Sequence, residues 1–261
     1  RPFTNAMLFI NTRPDSRAAE LTHALQKKGF QVESLPLLEL VAQPFSESLS
    51  QLYQQLTGAQ AIVVVSPTAV DVGMQYLTQS GLKIDELKHI QWIAVGQATA
   101  NRLHDYGIEA HVPEVETSEG MLNLPLLHRM QKSGSVAFWR GEGGRQFMME
   151  TLQQQGIQIL NFVLYRRQCP QASYSTFKHL TQNSNYNLDK WLVLITSEAS
   201  WKYWLELCLK NKAQPDCVYL VLGPRLFQLV KDYRDQQQAH FHIIQLENLS
   251  PSGMIHHIQA L

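Results

Sequence analysis

Arginine and glycine occur together in one short stretch, RGEGGR, at positions 140–145. The stretch follows the apolar run 136–139, which is typical of a buried parallel strand, and it precedes the apolar stripe of a helix. Free backbone N–H groups at a helix N-terminus, beside guanidinium groups, are suited to holding an anion. The sequence therefore predicts an anion-binding turn here. Its candidate binding residues are Arg140, Gly141, Gly144 and Arg145.

Other predicted strand-to-helix turns also carry small hydroxyl groups, glycine or arginine. Ligands of α/β proteins bind beyond the carboxyl ends of parallel strands, where such turns lie. Taken singly, a serine or threonine in a turn is more simply explained as a helix N-cap. Taken together, two facing sets of turns would line a cleft with N–H donors. The candidate binding residues in these turns are Arg13, Ser66, Thr68, Gln97, Thr196, Ser197 and Arg225.

Motifs of several other chemistries are missing from the sequence. It contains no G-x-x-x-x-G-K-[ST] motif for a phosphate-binding loop, and GEGGRQ departs from the dinucleotide pattern G-x-G-x-x-G. No acidic residue lies between Glu150 and Asp189 to hold a ribose, and no H-x-x-x-H, G-x-S-x-G or acid pair is present. A site with many donors but no metal ligands, base or nucleophile suits a polyanionic substrate that carries much of its own reactivity.

Apolar strand-like runs alternate with helical patterns along the chain, which favours parallel sheets covered by helices on both faces. The pattern predicts a strand over 108–112, ended by Pro113, and a helix over 119–130. The extended run 32–41 is longer than one strand of a small sheet needs. It is therefore predicted to cross between domains.

The chain also shows signs of an internal duplication. Arg13 and Arg140 are separated by 127 positions, and the same separation relates Gly29 to Gly156 and Gly96 to Gly223. Segment 62–70 resembles segment 192–200, and SEGML at 118–122 resembles PSGMI at 251–255. Five matched features in one order predict two related halves. The alternative is that any two β-α-β segments look alike.

Composition sets further bounds on the protein. A length of 261 residues suggests two domains, and 22 basic against 22 acidic residues give no bulk charge that would favour nucleic acid or a membrane. Three cysteines without a C-x-x-C pair fit buried thiols in a reducing compartment. No apolar run approaches the roughly 20 residues of a membrane helix. Residues 1–6 are expected to be an expression remnant or a disordered start.

Seven segments, in their order and spacing, resemble the uroporphyrinogen-III synthase family over essentially all of residues 7–261. They are TRP (12–14), SPTAV (66–70), AVGQATA (94–100), SEGML (118–122), RGEGGR (140–145), VLYRR (163–167) and ITSEA (195–199). The resemblance implies two similar parallel-sheet α/β domains of flavodoxin-like fold, joined by a two-stranded antiparallel β-ladder with a cleft between them. Residues 7–38 with 169–261 would form domain 1, and residues 39–168 the inserted domain 2. The runs 32–41 and 159–168 fit the ladder.

The resemblance also implies a reaction. Linear hydroxymethylbilane is closed to uroporphyrinogen III with loss of water and inversion of ring D, through azafulvene and spiro-pyrrolenine intermediates, in tetrapyrrole (haem) biosynthesis. No cofactor and no metal is expected, because the bilane loses its hydroxyl group readily. The expected protein is a cytoplasmic monomer that makes at most transient contact with the preceding bilane-forming enzyme. No contact with nucleic acid or a membrane is expected.

The resemblance assigns roles to individual residues. Tyr165, in VLYRR, corresponds to a tyrosine that faces the cleft, and its phenol is a candidate acid for hydroxyl loss; the alternative is a hinge tyrosine that only packs. Thr99 and Ser118 lie in matching motifs and are candidate substrate-binding residues. The sequence departs from the family at Gly223-Pro224-Arg225, where many members have threonine. Arg225 is therefore expected to bind a carboxylate instead.

Two other functional classes remain open from the residues alone. A two-domain hinged binding protein or sensor could close on an organic polyanion without catalysis. A sugar-phosphate enzyme could use the turn that begins at Arg140. The product formed from freshly made hydroxymethylbilane distinguishes these classes.

Overall fold

The computed structural model describes residues 7–114, 120, 125–144, 146–183 and 189–261. The chain forms two compact units. The terminal unit contains the described residues up to Glu39 and from Gln168 to Leu261, and the central unit is Leu40–Arg167. The chain therefore passes from one unit to the other after Glu39 and again after Arg167.

Strands and helices alternate through both units. The strands are β1 (Met7–Asn11), β2 (Gln31–Ser34), β3 (Glu39–Ala42), β4 (Ala59–Val64), β5 (Gln91–Ala94), β6 (Ser135–Gly141), β7 (Gln158–Gln168), β8 (Lys190–Ile195), β9 (Cys217–Leu222) and β10 (His242–Leu246). The helices are α1 (Asp15–Lys27), α2 (Glu47–Gln55), α3 (Pro67–Gln79), α4 (Gln97–Asp105), α5 (Pro125–His128), α6 (Phe147–Gln154), α7 (Gln171–Gln182), α8 (Glu198–Lys210), α9 (Pro224–Gln236) and α10 (Pro251–Gln259).

The terminal unit is built on a five-stranded sheet in the order β10-β9-β8-β1-β2. Its neighbouring strands pair in parallel. Counted along the chain, this order is 2-1-3-4-5, the doubly wound flavodoxin-like arrangement. Apolar clusters cover both faces, one around Trp191 and Trp204 and the other around Phe9 and Leu25. Burial on both faces explains why these strands have almost continuous apolar sequences.

The central unit is built on a second five-stranded sheet, in the order β3-β7-β6-β4-β5. Strands β7, β6, β4 and β5 pair in parallel. The N–H of Gln43 donates to the Leu164 carbonyl at 2.8 Å, and the Gln168 amide donates to the Glu39 carboxylate at 2.7 Å. Because residue numbers rise along β3 as they fall along β7, this edge pair is antiparallel. The prediction of α/β architecture with two parallel-dominated sheets is confirmed.

The two sheets agree with the predicted internal repeat. Along the sequence, β6-α6-β7 corresponds to β1-α1-β2, and β4-α3-β5 corresponds to β8-α8-β9. The sheet order β7-β6-β4-β5 is then the counterpart of β2-β1-β8-β9. Gly96 and Gly223, which begin α4 and α9, have positive φ angles of 103° and 84°, a region where L side chains are strained. Equivalent strands therefore occupy equivalent positions and equivalent turns use glycine.

One predicted strand differs from the structure. Residues 108–112 do not form a strand; they are held beside β5 by a single bridge between Ile93 and His111. The following Pro113 cannot donate a backbone hydrogen bond, which limits further pairing. Of the helix predicted over 119–130, residue 120 and Pro125–His128 are helical, and residues 119 and 121–124 lie outside the described residues. The run 32–41 is two strands separated by the buried residues Leu35 and Leu37.

Candidate functional site

A cavity of about 200 Å³ lies at the carboxyl ends of β4 and β6 in the central unit. From β4 the chain continues outward to β5, and from β6 it continues in the other direction to β7. The gap between β4 and β6 is thus the topological switch point of the sheet, the position where α/β folds bind ligands. Its walls are mostly apolar and come from Val63, Val65, Val95, Phe138, Met148 and Met149. Its polar side is formed by Arg140, the glycine turn, Tyr165 and Arg167.

Arg140 supplies a buried positive charge to this cavity, with only 6% of its surface exposed. Its guanidinium donates to Asn161 Oδ1 at 3.3 Å and to the carbonyl of Gly143. Burial lowers the pKa of Arg140, an effect that neighbouring Tyr165 partly opposes. In the described part of the chain, no carboxylate forms an ion pair with it. A buried guanidinium with five N–H donors and only neutral partners is favourable for an incoming anion.

The glycine turn after Arg140 is anchored to the neighbouring strand. The N–H of Glu142 donates to the Tyr165 carbonyl at 2.7 Å, and Arg167 donates to the Glu142 carbonyl at 3.2 Å. Gly143 and Gly144 each have a φ angle of 78°, which explains the need for glycine at both positions. Helix α6 then begins without a side-chain cap at its N-terminus. Its first backbone N–H groups therefore retain the capacity to bind an anion.

Tyr165 lies beside the same turn, opposite Gly141 in the β6–β7 register. The side chain is buried, with 3% of its surface exposed, and it forms part of the cavity lining. Its hydroxyl oxygen lies 2.8 Å from the Oγ of Ser66, the residue that caps helix α3. Ser66 also accepts the N–H of Ala69 at 3.2 Å. The structure therefore combines a phenol, a serine hydroxyl and a buried guanidinium within one region of the central unit.

The other candidate residues of the central unit have weaker structural support for a role in the site. Thr99 is buried at 2% exposure, and its hydroxyl donates to the Val95 carbonyl at 3.4 Å, so it is satisfied beside its own helix. Gln97 is exposed and donates to Asn101 at 2.8 Å, and Thr68 lies in the first turn of α3. Ser118 and Arg145 lie outside the described residues.

The terminal unit has its own cavity of about 340 Å³ at the starts of α8 and α9. It is lined by Thr196, Ser197 and Arg225 among others. Ser197 caps α8 by accepting the N–H of Ser200 at 3.1 Å. The guanidinium of Arg225 is exposed and lies 3.6 Å from the Glu198 carboxylate, so part of its charge is already balanced. An anion here would compete with Glu198.

Arg13 follows β1, at the position of the repeat that corresponds to Arg140. It is half-buried, and burial lowers the pKa of its guanidinium, with a further decrease from nearby Arg17. Among the described residues no hydrogen-bond or ion-pair partner of this guanidinium is found. The charge of Arg13 is thus available to a ligand, although its side chain does not line either cavity described above.

Sequence reasoning did not single out three contributors to the central cavity. Arg167 lines it and holds the glycine turn, and Met148 and Met149 form part of its apolar wall. A further residue, Asn161, supports Arg140 from the neighbouring strand. Its signal in the sequence is a lone polar residue within the apolar run 159–164.

The three cysteines are free thiols. Cys169 and Cys217 are buried and Cys208 is partly buried, close to the expectation of buried thiols. Burial raises the pKa of Cys169 to about 11 and that of Cys208 to about 12, and it raises the pKa of Cys217 as well. Each thiol is therefore protonated near neutral pH. No helix within the described ranges is long and apolar enough to cross a membrane.

The comparisons with known proteins agree on one family. A family model described as uroporphyrinogen-III synthase HemD matches residues 19–239. The uroporphyrinogen-III synthase of Salmonella typhimurium is 29% identical over 163 residues, covering 62% of this chain and 65% of that protein. The chain thus matches slightly less than two thirds of that relative's length. The uroporphyrinogen-III synthase of Proteus mirabilis is 28% identical over 165 residues, covering 62% of this chain and 80% of that protein.

Two solved structures share the fold. A mutant uroporphyrinogen III synthase from the extremely thermophilic bacterium Thermus thermophilus superposes with a TM-score of 0.59 at 15% identity, covering 98% of each chain. The uroporphyrinogen-III synthetase of Helicobacter pylori 26695 superposes with a TM-score of 0.58 at 16% identity, covering 97% of this chain and 98% of that one. At these identities the likeness concerns the fold alone.

Proposed function

This chain belongs to the uroporphyrinogen-III synthase family, and we propose that it closes linear hydroxymethylbilane to uroporphyrinogen III with loss of water and inversion of ring D. The observation that carries the proposal is the buried Arg140 guanidinium, whose partners among the described residues are neutral and which lines a cavity at the switch point of its sheet. The bilane carries carboxylates on every ring and a hydroxymethyl group that leaves readily. It supplies both the charge and the reactivity that such a site requires.

The protein's main contribution is to position the substrate. The hydroxymethyl group departs as the pyrrole nitrogen donates its electron pair, giving an azafulvene. The substituted carbon of ring D then attacks, and the resulting spiro-pyrrolenine fragments and closes again with ring D reversed. Closure without the protein proceeds without inversion. Holding the chain so that the hindered carbon attacks is an orientation effect of the kind that gives large rate advantages.

Carboxylate binding is assigned to the arginines and to the backbone of the turns. Arg140 and the glycine turn bind one acetate or propionate in the central cavity, assisted by Arg167 at its rim. Arg13 and Arg225 bind carboxylates from the terminal unit, together with the helix starts at Thr196 and Ser197. Charge-assisted hydrogen bonds are shorter and stronger than neutral ones, so a few contacts suffice to fix a flexible substrate.

Tyr165 is assigned the one chemical role. Its hydroxyl lies on the polar side of the cavity, next to the buried charge of Arg140. A phenol in this position donates its proton to the departing hydroxyl group, so that water leaves instead of hydroxide. No cofactor takes part in this scheme. The proposed protein is a cytoplasmic monomer. It receives the bilane by transient contact with the enzyme that forms it.

The test is to incubate the protein with freshly made hydroxymethylbilane and to resolve the uroporphyrin isomers after oxidation. Uroporphyrin III in excess of uroporphyrin I is expected. A heat-denatured sample, in which the type I isomer forms by spontaneous closure, is the control. If stoichiometric protein slows the loss of the bilane but the only product is type I, the chain is a polyanion-binding protein without catalysis. If the product is type I and the bilane is lost as fast as without the protein, both functions are contradicted.

A further inference from the structure

Ser66 makes two hydrogen bonds, one more than a helix cap requires. Its Oγ accepts the N–H of Ala69 at 3.2 Å, the usual capping contact. The same oxygen lies 2.8 Å from the hydroxyl oxygen of Tyr165, which is 99 positions away in the sequence. Two elements that meet only in the tertiary structure, the start of α3 and the end of β7, are thus linked through one serine hydroxyl.

Either hydroxyl can donate in the contact between Ser66 and Tyr165, and the capping contact favours donation by Ser66. Ser66 Oγ accepts an N–H at the positive end of helix α3, which withdraws electron density from this oxygen and makes its own O–H a better donor. A serine hydroxyl has one proton and two lone pairs. Donation to Tyr165 uses the proton while the capping contact uses a lone pair. With Ser66 as the donor, the phenol oxygen accepts and the phenol proton remains free.

From this arrangement we infer that Ser66 is a positioning residue for Tyr165: it donates to the phenol oxygen and leaves the phenol proton directed to the cavity. The inference rests on the proposed function. Ser66 was a candidate substrate-binding residue on sequence grounds; here it acts through Tyr165 instead. The Tyr165 ring also lies directly against Gly141, since a Cβ at that position would lie 2.5 Å from the ring Cζ.

Proton transfer from the phenol converts the leaving hydroxyl group to water. The carbon–oxygen bond of the hydroxymethyl group breaks with its electron pair going to oxygen, and the phenol proton joins that oxygen. The pyrrole nitrogen's electron pair forms the new double bond of the azafulvene cation. The phenolate keeps the electron pair of its former O–H bond and is stabilised by the Ser66 donor. After ring closure the phenolate regains the proton that the unsubstituted α-carbon of ring D releases.

The experiment is a double-mutant cycle on kcat between Ser66 and Tyr165. Ser66→Ala removes the donor and is expected to lower kcat roughly two- to tenfold with KM nearly unchanged, the usual worth of one neutral hydrogen bond. In a Tyr165→Phe background, the same serine change is expected to have no further effect on kcat. Ser66→Thr keeps both the cap and the donor, so its kcat is expected to remain within about twofold of wild type.

Loss of the helix cap is controlled by a matched serine. Ser46 caps α2 by accepting the N–H of Leu49 at 3.2 Å, the same distance as the Ser66 cap, and it is exposed. Ser46→Ala is expected to lower the melting temperature by an amount similar to Ser66→Ala while kcat is unchanged. A fall in kcat caused by a general loss of stability would appear in both variants, and Ser66→Thr, which keeps the α3 cap, controls for a local effect on that helix.

The outcomes separate the inference from the proposed function. Absence of uroporphyrinogen III with the wild-type protein contradicts the proposed function itself. With an active wild type, a Ser66→Ala variant of normal kcat overturns the inference alone. The inference is also overturned if Ser66→Ala lowers kcat by the same factor in the Tyr165→Phe background, because Ser66 would then act independently of the phenol. It is supported if Ser66→Ala lowers kcat only when Tyr165 is present and Ser66→Thr stays active.

Discussion

The ring of Tyr165 lies directly against Gly141, in the space that a side chain at that position would occupy. The two residues are register partners on β7 and β6, and a Cβ on Gly141 would come within 2.5 Å of the ring Cζ. Real Cβ atoms are essentially never found so close to another heavy atom. Glycine at this position is therefore a condition for the observed position of the phenol.

Gly141→Ala tests this condition. The added methyl group must displace the Tyr165 ring, which also breaks the contact with Ser66. We expect kcat to fall by at least as much as in Tyr165→Phe, with a reduced melting temperature. Gly58→Ala is the matched control, because a Cβ at Gly58 would meet no atom within 4 Å. Normal kcat in Gly141→Ala would show that the phenol's position does not matter for turnover.

Tyr165→Phe keeps the ring and removes only the hydroxyl group. If the phenol assists departure of the bilane's hydroxyl, kcat falls with little change in KM, because the interaction grows only in the transition state. The loss is expected to be smaller than the roughly 10²–10⁴-fold of a strong general acid, since the azafulvene forms readily. Uroporphyrinogen III remains the product, because inversion depends on how the rings are held.

Tyr53→Phe is the control for this change. It removes a buried hydroxyl of the same unit that donates to the Gly73 carbonyl at 2.7 Å, outside the cavity lining. Its stability is expected to fall while kcat stays normal. Steady-state kinetics, isomer analysis and melting curves on both variants distinguish the roles. Wild-type kcat in Tyr165→Phe would remove the phenol from the chemistry and leave positioning as the mechanism.

Arg140→Ala is expected to raise KM for the bilane by roughly tenfold or more, since a charge-assisted contact is worth about 1.5–3 kcal/mol. The variant also leaves the Gly143 carbonyl and Asn161 without their donor, so a lower melting temperature is expected. Arg129→Ala changes an exposed arginine of the same unit and should have wild-type kinetics. An unchanged KM in a folded Arg140→Ala protein would reduce Arg140 to a support for the glycine turn.

Arg13→Ala tests the corresponding position of the terminal unit. The guanidinium is half-buried, and no partner for it is found in the described ranges, so little stability should be lost with it. A rise in KM of similar size to that in Arg140→Ala is expected if Arg13 binds a carboxylate. The measurement is KM over a range of salt concentrations, because charge-assisted binding weakens as salt screens it. A KM equal to that of wild type at every salt concentration argues against a contact.

The cysteines provide a prediction about pH. Burial raises the pKa of Cys169 to about 11 and that of Cys208 to about 12, whereas the pKa of an unfolded thiol lies near 9.0. Because the folded state keeps these thiols neutral, stability is retained below about pH 9 and decreases as pH rises above it. At a pH of about 8, iodoacetamide should label the native protein slowly and leave activity intact, and all three thiols should react after denaturation. Rapid labelling of the native protein would contradict this.

Much of the architecture is determined locally and could be predicted from the sequence. Apolar runs of strand length, helical stripes and glycines at positive φ depend on neighbouring residues, so they indicate the β-α-β units and their repetition. The turns around Arg140, Ser66 and Thr196 can be predicted in the same way, because strand ends and helix starts carry recognisable residue types. Residues 108–112 show the limit, because a short apolar run becomes a strand only if a partner strand extends along it.

The tertiary structure decided which of these residues act together. The order β7-β6-β4-β5 brings the ends of strands that are far apart in the sequence to one edge, and with them Tyr165 and Ser66, which are 99 positions apart. It also left Arg140 buried with neutral partners, whereas Arg225 lies beside Glu198. Hydrogen bonding and charge compensation depend on distances between side chains of different strands and helices. No local pattern of residue types records those distances, so the sequence indicated the candidates and the fold selected among them.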